Sequence, residues 1–235
     1  MSKLVKIAMA VVVVVVLGGA AVWYFTMRDT SAPTATLDAI GAASDQATPT
    51  GAQGAKADGT WTVQPGSGVF IGYRINEKMV PAGNIKTVNG RTPAVEGTLT
   101  VAGDTVTAVT IKADVTKLDS GEPLREQILT NVGLETGKFP TATFALREPL
   151  KLPAVPAAGS EISVVAKGAL TAHGVTHPID VPLKARWDGD RLKVATADAG
   201  AAFVMADWGI ELPKVPITEV DNHGTLELQL LLART

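Results

Sequence analysis

The stretch "IDVPLKARW", residues 179–187, decides how the rest of the chain is read. In an extended backbone Ile179, Val181, Leu183, Ala185 and Trp187 fall on one side, and Asp180, Pro182, Lys184 and Arg186 on the other. A period of two is the pattern of a strand with one buried face and one wet face. The alternation recurs along the chain. It is carried by Val69, Ile71, Tyr73 and Ile75, by Val95, Gly97, Leu99 and Val101, and by Val109, Ile111, Ala113 and Val115. Further on it returns in Ala142, Phe144 and Leu146, in Ile162, Val164 and Ala166, in Leu192 and Val194, and in Leu226, Leu228, Leu230 and Leu232. Turn-forming clusters such as Ala102-Gly103-Asp104 and Ala157-Ala158-Gly159-Ser160 separate the runs.

About eight one-sided strands predict an antiparallel sheet closed on itself, because closure removes exposed edges. A two-sheet sandwich shares the alternation. An eight-stranded barrel is just wide enough to be filled by side chains or to hold a ligand. The inward residues here are mostly Val, Ile, Leu, Ala and Gly, which favours a cavity over a solid core. One break has helical spacing: in "SGEPLREQILTNVG", residues 120–133, Leu124, Ile128 and Leu129 share a face, with Ser120 as the expected cap.

Ahead of this domain, residues 7–27 run without a charge. As a helix they reach about 31 Å, the thickness of a hydrocarbon core. A cleaved signal peptide has a shorter apolar region, and the cluster Val22-Trp23-Tyr24-Phe25 suits a membrane interface. The reading is a retained transmembrane signal anchor. Lys3 and Lys6 precede it, so residues 1–6 form a cytoplasmic tail and the remainder lies outside the cytoplasm, on a single-pass cell-membrane protein. Residues 28–58, rich in Ala, Thr, Gly and Pro, read as a flexible linker with an end-to-end distance near 30 Å. Residues 59–235 are the folded domain.

The 235 residues carry a net charge of −2 and no cysteine. Disulfides, thiolate zinc sites and cysteine nucleophiles are thereby excluded, and no basic stripe invites nucleic acid. His173 and His177, four apart, lie around Gly174 and before Pro178, which reads as a hairpin turn rather than a metal pair. The carboxylates of Asp207 and Glu211 flank Trp208 and Ile210 as surface charges would. No nucleophile elbow or phosphate loop occurs. These residues predict neither an enzyme nor a metal site, and protein partners stay unassigned.

Three stretches, "LREQILTNVGLETGKFPTATFAL" (124–146), "GALTAHGVTHPIDVPLKA" (168–185) and "VMADWGIELPKVPITEVDNHGTLELQLLL" (204–232), resemble in order the characteristic segments of the YceI-like family. Leu170, Thr171, Gly174 and Thr176 match one family motif, and Lys138, Phe139, Pro140 and Phe144 another. Trp61 and Val63 fit the family's opening, whereas Gln64 and Gly66 stand where an Asp and a His are usual. The resemblance implies an all-β, extended antiparallel, eight-stranded lipocalin-like barrel with one short helix near the mouth. It also implies an isoprenoid chain inside, so that a polyisoprenoid or fatty lipid is the expected ligand and no other cofactor is needed. The expected liners are Val69, Ile71, Tyr73, Val109, Ile111, Phe144, Leu146, Ile179, Val181, Leu183, Trp187, Phe203 and Leu228, with Leu124 and Ile128 from the helix. Arg74, Lys138 or His173 would meet a head group at the mouth, with Tyr73 and Trp187 as gates.

Overall fold

A computed structural model of the chain describes residues 31–41, 57–80, 83–153, 159–188, 190–197, 200–212, 216 and 218–235. The expected tail and anchor, residues 1–27, lie outside the described residues. Among the described residues no helix is long and apolar enough to cross a membrane.

The alternating runs form strands. In chain order these are β1 (Gly59–Gln64), β2 (Phe70–Met79), β3 (Ile85–Thr92), β4 (Val95–Ala102), β5 (Thr105–Asp114), β6 (Thr141–Leu146) and β7 (Leu150–Lys151). They continue with β8 (Glu161–Ala172), β9 (Val175–Asp188), β10 (Arg191–Thr196), β11 (Ala201–Val204) and β12 (Thr218–Arg234). Eight of them close a ring, β1-β4-β5-β6-β8-β9-β10-β12, and the antiparallel pairing of β12 with β1 completes it. β12 is long enough to serve two neighbours on the same side. Leu231 to Arg234 pair with β1, and Thr218 to Gln229 pair with β2, which carries β3. The wall therefore rises on that side beyond the closed ring.

Register follows the turns. β8 and β9 join through His173 and Gly174, both at positive φ (50° and 75°), the pairing that a two-residue hairpin requires. A Cβ at Gly174 would also meet the Phe139 ring at 2.6 Å. The hairpin stands at the upper rim, and β9 descends from it, so Trp187 ends at the base beside Leu192, Leu232 and Trp61, all buried. Trp61 donates from Nε1 to the Ala57 carbonyl (2.8 Å), which ties the entering chain across the lower end.

The helical break is α1 (Pro123–Ile128), continued by a wider turn through Gly133. Ser120 is not its cap. Glu122 occupies that position without a side-chain bond and Pro123 opens the helix, while the Ser120 amide donates to Glu126 Oε1 (3.0 Å). Proline at the first helical position gives up an amide that would have had no partner there.

Composition places residues 31–41 within the linker, yet they lie against the barrel's outer wall. Leu37 and Ile40 are buried, at 4 % and 0 % exposed. The physical reason is a polar seam that composition hides. Asn89 Oδ1 accepts from the Ala32 amide (2.7 Å), Arg74 donates to the Ala32 carbonyl (2.6 Å), Arg91 donates to the Pro33 carbonyl, and Gln229 Oε1 accepts from the Thr36 amide (2.8 Å). Residues 42–56 lie outside the described residues.

Candidate ligand-binding cavity

The inward faces of β2, β4 to β6, β8 to β10 and β12 enclose two compartments stacked end to end. The lower one, about 120 Å³, is bounded near the base by Trp187, Leu192 and Leu232 and is apolar throughout apart from Thr143. The upper one, about 380 Å³, reaches the mouth between α1, the top of β2 and residues 205–212. Ile71, Ala113, Ala142, Leu170 and Leu226 line both, so the two are adjoining parts of one barrel interior.

The expected liners are distributed between them. Val109, Ile111, Phe144, Val181, Leu183, Trp187 and Leu228 surround the lower compartment; Tyr73, Leu124, Ile128 and Phe203 surround the upper; Ile71 belongs to both. Val69, Leu146 and Ile179 line neither compartment. Val69 precedes β2 and packs in the core, Leu146 is covered by the same cluster, and Ile179 is buried with Trp208 and Leu170. Liners not named from sequence include Met205, which opens a 3-10 helix, and Ile210 and Leu212 in the loop after it, where a period of two gives no signal. Ile162, Val164 and Leu230 were visible as strand faces, and nothing in their spacing separates a cavity wall from a packed core.

The mouth chemistry differs from expectation. Arg74 alternates with Tyr73 and so points outward, where its Nε meets Glu227 Oε1 (2.8 Å). Lys138 pairs with Glu135 in solvent. His173 Nδ1 donates to the Trp208 carbonyl (3.2 Å) and its Nε2 meets Glu135 Oε2 (3.0 Å). None of the three lines the cavity. Trp187, at the base, is no gate. The charged pair at the mouth is instead Glu77 with Arg125, at 3.2 Å, which fastens α1 to β2.

The rim is built where the two motifs meet. Phe139 packs edge-on against His173 (centroids 4.6 Å apart), and Thr171 and Thr176 share a hydroxyl hydrogen bond of 2.7 Å across the hairpin. Glu135 and His173, joined to each other, are the two non-glycine residues at positive φ among the described residues. Hydrogen bonds from Lys138 and then from His173 hold the Glu135 carboxyl below the usual carboxylate range. Trp208 closes the upper side, with its Nε1 donating to the Leu170 carbonyl (3.1 Å). Tyr73 lies over Gly90, whose missing side chain makes the room: a Cβ there would come within 2.5 Å of the ring. The phenol is buried without a protein hydrogen-bond partner, and burial pushes its pKa well above the ordinary tyrosine value. Among the described residues no cluster of three potential metal ligands occurs.

Comparison with known proteins accords with this geometry. The solved polyisoprenoid binding domain from Saccharophagus degradans, implicated in plant cell wall breakdown, superposes with a TM-score of 0.58 at 16 % identity, over 74 % of this chain and 98 % of that one. BcnA of Burkholderia cenocepacia superposes at 0.50 with 15 % identity, over 68 % and 95 %. At these identities the likeness is one of fold. No curated protein matches the sequence. The YceI-like domain profile, however, matches residues 61–232, from Trp61 at the base to Leu232 beside it, and so takes in the ring, but for the outermost residues of β1 and β12, and the helix at its mouth. The chain belongs to the YceI-like family.

Proposed function

We propose that this protein is a membrane-tethered, extracytoplasmic holder of a long apolar amphiphile, a polyisoprenoid or similar lipid, which it binds without transforming and without another cofactor. The observation that carries the reading is the stacked pair of compartments, apolar to the base and charged only near the mouth. Such a shape accepts a chain tail-first and leaves its polar end at the rim. Each buried methylene contributes about 0.8 kcal/mol, so a five-carbon unit contributes roughly 4 kcal/mol before the ordering of the chain is subtracted. A few units then suffice without specific polar contacts. Membership of the family, and the polyisoprenoid binding named for the Saccharophagus domain, support the choice of ligand. The uncharged run 7–27 supports the tether, with the amino terminus in the cytoplasm.

A second reading, a packed barrel serving as an envelope interaction module, draws on the small volume of the lower compartment. Native mass spectrometry of the purified protein, paired with solvent extraction, separates the two. A discrete adduct that extracts as a long-chain lipid is expected. A mass that stays bare after incubation with polyprenols overturns the holder and leaves the interaction module.

A further inference from the structure

We infer that the segment 31–41 is a strap that aims the barrel's mouth at the bilayer in which the chain is anchored, with Ile85 and Leu124 touching the lipid. The inference rests on the retained anchor proposed above.

The strap has a direction. Ala32 is held by Asn89 and Arg74, which are paired across β2 and β3. Pro33 is held by Arg91, two pairs further from the mouth, opposite Gly72. Thr36 meets Gln229, which pairs with Phe70, and the Gly41 amide donates to the Ser67 carbonyl (2.9 Å). From Ala32 to Gly41 the strap therefore descends from the level of Arg74 to below the start of β2, crossing on the way from β3 over β12 to Arg186 of β9. Followed the other way, from Gly41 to Ala32, it climbs toward the mouth.

The remaining leash is short. The uncharged run ends at Met27, and Ala32, five residues on, is held to the wall. That interval spans at most about 18 Å when fully extended. The strand from Arg74 to Met79, at the top of β2, covers about 17 Å. The end of the apolar run thus has almost no slack beyond the height of the rim. A linker of 28–58 treated as a free coil would have let the domain tumble at will. With 31–41 docked, it does not.

The strap is bound firmly enough to transmit this constraint. Glu227, 4 % exposed on the outer wall, pairs with both Arg74 and Arg91 (2.8 and 2.9 Å), and both arginines also hold strap carbonyls. Leu37 and Ile40 are buried beneath it, Asp38 pairs with Arg186 (3.1 Å), and Gly68 lies so close that a Cβ would meet the Ala39 carbonyl at 2.2 Å.

The rim fits the partner. Ile85, at the β2–β3 hairpin, and Leu124, on α1, are the most exposed large apolar residues among those described, at 70 % and 69 %. Arg125 bonding Glu77 brings α1 against the top of β2, so both residues stand at the mouth end of the barrel, Leu124 over the opening and Ile85 on the outer face opposite Lys78. Apolar side chains at a rim gain free energy by entering the interface of a membrane. A lipid would then pass between bilayer and cavity without crossing water.

The chain has no cysteine, so single labels are clean. The full-length protein, carrying an environment-sensitive fluorophore at Ile85→Cys, at Leu124→Cys or, at the base, at Ala102→Cys, is reconstituted into vesicles of phosphatidylethanolamine and phosphatidylglycerol containing nitroxide-labelled lipid. Labels at 85 and 124 are expected to be quenched several-fold more than the label at 102. A Gly/Ser insertion after Thr30, long enough to exceed the barrel's height, leaves the strap docked and is expected to abolish the difference. Leu37→Ser with Ile40→Ser is expected to do the same by undocking the strap. Equal quenching at rim and base in protein that floats with the vesicles overturns the orientation and leaves the lipid holder intact. A difference that survives both variants overturns the strap as its cause. Failure to float overturns the anchor, and this inference with it.

Discussion

At the scale of single residues, the wall of the cavity is where function is exposed to one substitution. Val181, 2 % exposed, borders the lower compartment on a strand whose neighbours are apolar. Val181→Asp buries a carboxyl with no partner, a cost of several kcal/mol whichever way it titrates. The expected result is loss of the lipid adduct in native mass spectra. Because that variant is strained, Leu228→Trp is the sharper companion: it fills open volume, and the folded protein is expected to exclude lipid while circular dichroism stays unchanged. Full lipid occupancy in folded Leu228→Trp would contradict the cavity as the site. A second residue-scale expectation concerns acid. The Glu135 carboxyl titrates below its unfolded value because Lys138, and next His173, hydrogen-bond its charged form. Its contribution is therefore complete above the ordinary carboxylate range and is lost as pH falls through the lowered folded value. Hydrogen exchange across residues 134–140 is expected to accelerate at that acid end before the strands open. Uniform loss of protection at all sites would show that the rim has no separate response.

At the scale of elements, α1 is a short helix held over a wide mouth. Six residues give little intrinsic helical stability, so its position depends on the Arg125–Glu77 pair, both largely shielded, and on Leu124, Ile128 and the following Leu129 and Leu134 over the opening. Arg125→Ala leaves Glu77 half-buried without its partner. We expect a stability loss of roughly 1–3 kcal/mol and release of a preloaded apolar fluorophore that is several-fold faster, read by stopped-flow transfer to vesicles. Unchanged release kinetics with lowered stability would make the pair structural and leave α1 without a role in exchange.

At the scale of the whole molecule, the strap makes the folded unit larger than the barrel. A chain beginning at residue 31 and one beginning at residue 57 share every strand, yet only the first covers Glu227, Arg74 and Arg91 and buries Leu37 and Ile40. Fully burying two aliphatic side chains contributes about 3–6 kcal/mol as an upper estimate. The shorter chain is expected to unfold at a lower urea midpoint with a smaller m-value, since m follows the surface exposed on unfolding. Coincident transitions would mean that the strap adds nothing to the stability of the barrel.

Period-two alternation, from Val69 to Leu232, determined by itself that the domain is all-β, which face of each strand is apolar, and that the His173-Gly174 pair is a turn. These are local properties: a side chain's face depends only on its place along its own strand. The motifs 138–144 and 170–176 were legible through their resemblance to the family, although their contact through Phe139 and His173 was not. What only the tertiary structure decided involves residues far apart in the chain. Strand order alone cannot say that β12 serves both β1 and β2, nor whether an inward Ile179 meets open volume or Trp208. Arg74 and Glu227 lie 153 residues apart and become a docking site only when β2 and β12 pair. For that reason composition makes residues 31–41 a linker, while the wall that receives them makes them part of the fold: their binding partners exist only once the sheet has closed.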